Sequence, residues 1–594
     1  MIETNPAMHG AAFFRLTALL GTIVLSGVGS YLFLRFSGEG GISALDLLRT
    51  ALIAISGFWL VWGSVVAILG VFTPVATARP SAAPLKGRTA VLVPVYNEDA
   101  MATFARIAAM NASVIAEGLA DHFHFMVLSD SQSTACVAQE AVWFERLLAE
   151  PHSAGRIFYR RRERNIGRKA GNVEDFIARS GAAYDYAVIL DADSLMEGAT
   201  MAAMVRRMDE DPGLGLLQTV PYIINAQTLF GRSIQFAAAY LSPTFARGAA
   251  LMQGRDGPYW GHNAIVRISA FASSCGLPEL SGAPPFGGHI LSHDYVEAAL
   301  LSRAGWKVEV DPCLAGSYEE GPENVIEYAK RDRRWCQGNL QHARLLAAPG
   351  LTWWSRFTFV RGIMAYLASP LWLLLLVSSI VAAIFPDMPV VLSGLGPPPV
   401  PFWTLGLAVV LTLVLPKLLI VARGLVDGRN RRFGGTPVAL LSVLGEIVLS
   451  TVLAPTMLLL QTRAVCQVLL GIDGGWPPTR RGQNSVSIAD GFRASWWIVA
   501  LATLALASTL VFAPAAAIWL APATLPAMAA PVLIAATSRP RRRSSTLFQT
   551  AIDVTPASIV VAHATILAAW AGPMSAADTA AAMADRKAPR HVSA

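Results

Sequence analysis

Apolar stretches long enough to cross a bilayer recur near 12–35, 51–73, 360–384, 402–422, 438–471, 496–512 and 515–536, given that about 20 apolar residues suffice for one helical span. Between the second and third lie almost 290 residues of ordinary soluble character. That insert opens after a linker at 81–87. Thr89–Val95 is a continuous apolar run ending at Tyr96-Asn97-Glu98, and the Ala- and Arg-rich stretch 99–119 follows it. Such a run suits a parallel strand buried on both faces, with the next segment as its crossover helix. The pattern recurs, with 123–129 ending at Asp130 and 186–190 ending at Asp191. Strand, acidic residue and helix, three times over, predict a doubly wound α/β sheet whose ligand sits at the carboxyl ends of its strands. The region from about 88 to 350 is long enough for a full core.

Composition strengthens the membrane reading, because 54% of the 594 residues are hydrophobic and only 15% charged. No small-residue cleavage site follows the first apolar stretch, so 12–35 is expected to remain as a span. The net charge of +7 follows topology and forms no nucleic-acid patch. The links 37–45 and 385–401 carry Glu39 and Asp387 without Lys or Arg, whereas 423–432 and 539–543 hold four arginines each. The positive-inside rule then places the insert, 423–436 and the C-terminal tail in the cytosol. Arg480, Arg481 and Arg493 also belong there, so 438–471 must cross an even number of times. Two short spans broken near Pro455 give about eight in all, with a re-entrant or interfacial second half as the competitor. Five cysteines without C-x-x-C pairing imply neither a zinc site nor a disulfide framework. Residues 537–594, rich in Ala, Ser, Thr, Pro and Arg, read as a poorly ordered cytosolic tail. Lys417 and Glu446 interrupt apolar spans and are expected to line or brace a polar channel.

The insert carries candidates for sugar transfer from a nucleotide donor. Asp191 and Asp193, two apart at a strand end, can reach one divalent cation, Mg²⁺ or Mn²⁺, shared with diphosphate oxygens. Asp130 faces the nucleotide or, equally, caps a helix. Tyr96 can stack on the base and Glu98 accept from it, and Lys169 in Lys-Ala-Gly-Asn reaches the diphosphate. The arginines at 160–162 read as a solvated face. Asp294, after Ser292-His293, is the candidate base for the acceptor hydroxyl, with His293 a hydrogen-bonded neighbour. Arg331, Arg334 and Trp335 share one helix face, offering charge and a flat platform for a sugar ring. Gln218 and His262 are candidate walls of the acceptor channel. No G-x-G-x-x-G or G-x-x-x-x-G-K-S/T occurs, against a dinucleotide or NTPase site.

The order Val-Pro-Val-Tyr-Asn-Glu, Lys-Ala-Gly-Asn, Asp-Ala-Asp-Ser, Trp-Gly-His-Asn, Leu-Ser-His-Asp-Tyr-Val-Glu-Ala and Arg-Arg-Trp-Cys-Gln-Gly-Asn-Leu-Gln-His resembles the glucans biosynthesis glucosyltransferase H family. This is a branch of the family 2 inverting glycosyltransferases, to which cellulose synthases belong. The likeness runs from about 45 to about 520. It implies a GT-A (Rossmann-like) catalytic domain at 85–350, set between an N-terminal transmembrane pair at 1–80 and a channel region at 351–536 with a gating loop near 473–494. It also implies UDP-glucose as donor, a divalent cation, a growing glucan as acceptor and contact with membrane lipid. The product would be the β-1,2-linked backbone of osmoregulated periplasmic glucans, exported through the bacterial inner membrane, with a periplasmic glucan-modifying protein as a further partner. By the same resemblance Asp130 binds UDP, Asp191 and Asp193 the diphosphate and metal, Asp294 is the base, and Arg334 with Trp335 contact diphosphate and acceptor. Ser-His-Asp stands where cellulose synthases have Thr-Glu-Asp, and Arg331 where they have Gln. The rival readings are a synthase of another β-glucan, cellulose- or curdlan-like, and a transporter that senses nucleotide sugars.

Overall fold

The computed structural model describes residues 6–74, 83–472, 485–541 and 546–572, with main chain only for 6–9. Seven strands form the main sheet: β1 (Thr89–Val95), β2 (Phe123–Ser129), β3 (Ile157–Arg161), β4 (Tyr186–Ile189), β5 (Leu214–Thr219), β6 (Ala264–Arg267) and β7 (Lys307–Asp311). Their order is β7-β5-β6-β4-β1-β2-β3. Only β6 runs antiparallel to its neighbours. The three strands expected from apolar runs are β1, β2 and β4. Their runs are continuous because each face has its own core: Val91 and Val93 pack with Phe104 and Ile107 on one side, Ala90 and Leu92 with Val173 and Phe176 on the other. A second sheet of Leu195–Met196, Ser317–Glu320 and Tyr222–Ile224 begins directly beyond the turn that ends β4.

The membrane helices join this domain closely. Gly70 on the helix Ala44–Phe72 lies so near the helix Ser242–Gln253 that a Cβ there would fall 1.8 Å from the Thr244 carbonyl oxygen, and one on Gly248 would fall 2.0 Å from that of Val66. At the opposite end of the helices, the two acidic links meet as a short antiparallel pair, Ile42 opposite Leu392 and Ser43 opposite Val390. They therefore lie on one side, away from the domain, as the charge pattern suggested.

The stretch 438–471 corrects the expectation of two spans. It is one continuous helix, Thr436–Leu469, with Pro455 inside. At about 1.5 Å per residue its 34 residues are far longer than the roughly 30 Å hydrocarbon core. Domain residues meet it along its whole length: Phe236 and Tyr240 near Val443, Phe230 near Leu453, Asp332 bonded to Gln461, and Arg333 bonded to Gln467. A helix whose two ends both touch the same domain lies along it. Pro455 removes a single backbone donor, and tertiary packing holds the helix through it. Among the described residues the helices long and apolar enough to cross a membrane are Gly10–Ser37, Ala44–Phe72, Trp353–Ile384, Trp403–Val426, Thr436–Leu469 and Ile488–Phe512, with the bent pair Pro514–Met528 and Ala530–Thr537 as one further candidate. With Thr436–Leu469 laid along the domain, the other five and the bent pair make an even number, which agrees with the arginine pattern without splitting 438–471. Lys417 on Trp403–Val426 pairs with Glu446 on Thr436–Leu469.

Part of the stretch expected to be a poorly ordered tail is folded onto the domain. Pro540 bridges Thr228. Phe548 is buried among Phe236, Phe433 and Val443, a burial that stabilises by about 1.5–3 kcal/mol. Asp553 holds the buried Arg232 at 3.1 Å, and the helix Ser558–Trp570 covers Ala100–Ala116. Composition alone hid the surface on which this helix docks. Of the expected gating loop, 473–484 lie outside the described residues, and 485–494 lead into the helix Ile488–Phe512.

Candidate active site

Turns at the carboxyl ends of β1, β2 and β4 converge on a cavity of about 1550 Å³. Asn97, with φ of 53°, reverses the chain after β1, and its side-chain oxygen accepts from the backbone N–H groups of Gln132 (3.2 Å) and Ser133 (3.1 Å) beyond β2. The turns carrying Tyr96, Glu98 and Asp130 are thereby locked together, and all three residues line the cavity. Asp130 is no helix cap, a role Ser133 takes. Its carboxylate receives a two-pronged bond from Arg162, both contacts 2.7 Å. Arg160 reaches Asn172 and Asp175, and Arg161 bonds the Ser131 carbonyl. Arg160 and Arg162, read as part of a solvated face, instead brace the Asp130 turn and the helix Arg168–Ser180.

Lys169 sits one residue into a helix entered through Gly167 and Arg168, both at positive φ. Gly171 lets that helix fold tightly, since a Cβ there would fall 2.3 Å from the Ile166 carbonyl oxygen. Lys169 bonds the Asp191 carboxylate and, at 2.7 Å, the Gly261 carbonyl. Burial works against charge on Asp191, yet Lys169, His262 and Arg331 hold its pKa well below the ordinary value. Asp193 lines the same cavity. Two carboxylates at a strand end suit a hard cation. Among the described residues no group of three or more His, Cys, Asp or Glu could hold a metal, so remaining positions would fall to diphosphate oxygens and water.

Gly261, at φ 83°, is the hinge between the two halves of the site. Its carbonyl accepts from Lys169, and a Cβ on its other side would lie 3.4 Å from that of Asp294. Asp294 opens the helix His293–Arg303 and lines the cavity. Burial, then Glu297, raises its pKa, against the pull of His293. His293 bonds Glu297 at 2.9 Å, as expected of a neighbour. Glu297 overcomes the burial penalty and favours the charged imidazole.

The helix Val325–Gln341 brings Arg331, Arg334 and Trp335 to the cavity together, with the Arg331 guanidinium 4.3 Å from the Trp335 ring centroid. It is held against Asp294's segment by a close approach: a Cβ on Gly338 would fall 2.2 Å from Ser292 Oγ and 2.7 Å from its backbone nitrogen. His342, whose pKa burial pushes down to about 4, stays neutral and donates to the Ser292 carbonyl at 2.8 Å. Gly338→Ala is expected to lower turnover about 10²-fold with donor binding retained, because it moves the candidate base relative to the acceptor platform. Steady-state transfer from labelled donor checks this.

One candidate is corrected. Gln218 is fully buried and reaches no cavity wall. It donates to the carbonyls of Thr219 and His262 and accepts from Trp260 N–H, so it braces the loop that carries Gly261. His262 does line the cavity, 3.5 Å from Glu319. Lys417 and Glu446 do not. Glu319 gave no local signal in the sequence, and Arg162 gave only its place in the basic stretch 160–162. Arg361 gave a local signal, as a cation inside an apolar helix, and it lines the cavity with Tyr366 where the cavity passes between membrane helices beside Trp62 and Val66.

Such a sheet, with an acidic pair at a strand end and a cavity running into membrane helices, defines a membrane-embedded glycosyltransferase. Residues 90–274 match the family described as Glycosyl transferase family 2, and 186–417 match Glycosyl transferase family group 2. The chain is 53% identical over 570 residues to the glucans biosynthesis glucosyltransferase H of Cereibacter sphaeroides, covering 94% of each. It is 38% identical to that of Rhodopseudomonas palustris, over 93% of this chain and 78% of the relative. A solved mannosyltransferase of Pyrobaculum calidifontis, in complex with GDP-Man and Mn2+, aligns at 16% identity and a TM-score of 0.42, over 64% of this chain and 97% of that one. The chain belongs to the glucans biosynthesis glucosyltransferase H family, and it is a family 2 glycosyltransferase of glucan synthesis with membrane helices.

Proposed function

We propose that the protein polymerises glucose from UDP-glucose into a β-1,2-linked glucan by inverting, processive transfer and passes the chain across the bacterial inner membrane, with its catalytic domain in the cytosol. The observation that carries this reading is the position of Gly261, with the Lys169–Asp191 pair on one side and Asp294 on the other. Donor diphosphate and acceptor hydroxyl would then meet one residue apart.

Asp294 takes the acceptor proton as the hydroxyl oxygen bonds the anomeric carbon. The bond from that carbon to the UDP oxygen breaks in the same displacement, inverting the centre, and UDP leaves with the electron pair. Asp191 and Asp193 would hold a divalent cation, which when bound would supply charge neutralisation for the departing diphosphate. Arg334 and Arg331 add fixed positive charge at the same place, and Trp335 offers a face to the acceptor sugar. Continuation of the cavity past Arg361 and Tyr366 to Trp62 supports export along that path. Arginines on the domain side and acidic links at the other end support the cytosolic placement.

Purified protein reconstituted in vesicles with the domain outward, and supplied with labelled UDP-glucose, is expected to accumulate polymer in the lumen. Polymer found only outside contradicts export, and equal use of GDP-glucose contradicts the donor.

A further inference from the structure

The C-terminal helix Ser558–Trp570 lies far along the chain from every site residue, yet it covers the helix that carries the donor turn. Ile559 and Trp570 are 2% and 4% exposed in the same core as Phe104 and Ile107. The Trp570 ring stacks on Trp143 at 5.5 Å, and its Nε1 donates to Glu150 at 2.9 Å. His563 is buried and bonds the carbonyl of Ala102, in the first turn of Ala100–Ala116 and directly after Glu98. Leu195 and Met196, which follow the Asp191–Asp193 turn, belong to the same core.

Beneath this cover Arg106 projects to the site. Its side chain is 5% exposed and stands behind the lining of the site cavity. Nη1 donates to the carbonyl of Ala192 at 3.2 Å, and Nη2 bonds Glu320 at 2.9 Å. Ala192 stands between Asp191 and Asp193, and Glu320 is next to Glu319, which faces His262. A guanidinium is a rigid planar fork, so this one fixes the spacing between the acidic turn and the strand Ser317–Glu320.

We propose that Arg106, clamped from behind by the C-terminal helix, is a positioning residue that sets the cation and donor affinity of the Asp191–Asp193 turn. This rests on the reading of those two aspartates as the cation and diphosphate carboxylates. Groups bonded behind metal ligands commonly govern affinity about 10–100-fold. A purely structural arginine would instead reduce the amount of folded protein.

The test uses the full chain in detergent or lipid discs. UDP binding is measured by calorimetry with and without Mn²⁺, beside turnover against Mn²⁺ and donor. In Arg106→Met the Mn²⁺-dependent UDP affinity and the Mn²⁺ midpoint are expected to weaken about tenfold, with metal-free UDP binding kept and saturated kcat reduced less. Arg106→Lys recovers part of the loss, and Trp570→Ala gives a smaller shift in the same direction. Unchanged affinity and midpoint in Arg106→Met overturn the proposal, as does a loss that merely tracks the folded fraction. If Arg106→Met does not fold, Trp570→Ala decides: a weakened Mn²⁺ midpoint supports the clamp and an unchanged one overturns it. Should the wild type bind UDP equally with and without Mn²⁺, and Asp193→Asn change nothing, the reading of the turn fails and takes this inference with it. A cation-dependent wild type matched by Arg106→Met defeats the inference alone.

Discussion

Asp294→Asn is expected to lower kcat by about 10²–10⁴-fold, the usual contribution of a positioned general base, while UDP binding stays in place. Asparagine keeps the shape of the side chain beside Gly261 and removes only the ability to take a proton. Burial and Glu297 raise the pKa of Asp294, and the base works ionised. Turnover therefore rises with pH through that raised pKa, and its acid limb lies above the roughly 3.9 of an ordinary aspartate. A profile of kcat against pH checks the sign: a limb at or below the ordinary value would remove Asp294 from the role.

Lys169→Met is expected to have the second largest effect, about 10²–10³ in kcat/KM for the donor, comparable to removing one fixed donor from a developing oxyanion. Lys169 bonds both the Asp191 carboxylate and the Gly261 carbonyl. Its loss strips Asp191 of its nearest cation and frees the loop that positions Asp294. Both donor KM and kcat should suffer, which separates this variant from Asp294→Asn. Initial rates across donor concentrations distinguish them, and a change confined to kcat would place Lys169 outside donor binding.

Much of the domain could be read from local pattern because its central strands are buried on both faces. The apolar runs at Thr89–Val95 and Phe123–Ser129 coincide with the strands residue for residue. Acidic residues directly after such runs lie at sheet ends by construction, which made Asp130, Asp191 and Asp193 legible. Asp294 and Trp335 were legible as motifs and share the cavity. What escaped depends on partners distant in the chain. Gln218 looks like any polar residue after an apolar run until its bonds are seen to go to Thr219, Trp260 and His262. Thr436–Leu469 has a span's hydropathy, and only its contacts with Phe230, Asp332 and Arg333 lay it along the domain. The segment 546–572 has a composition common in disordered tails, but Phe548, Asp553 and Trp570 each meet a prepared surface. Arg106 sits in an alanine-rich helix with no motif around it.

In the proposed function Asp294 drives transfer of glucose onto a growing 1,2-linked chain. The most direct test is the linkage of the polymer made by the reconstituted protein from labelled UDP-glucose, determined by methylation analysis beside the Asp294→Asn variant. A 1,2-linked glucan from the wild type, with no polymer from the variant, is the expected result. Polymer from Asp294→Asn, or a wild-type product of another linkage, would contradict it.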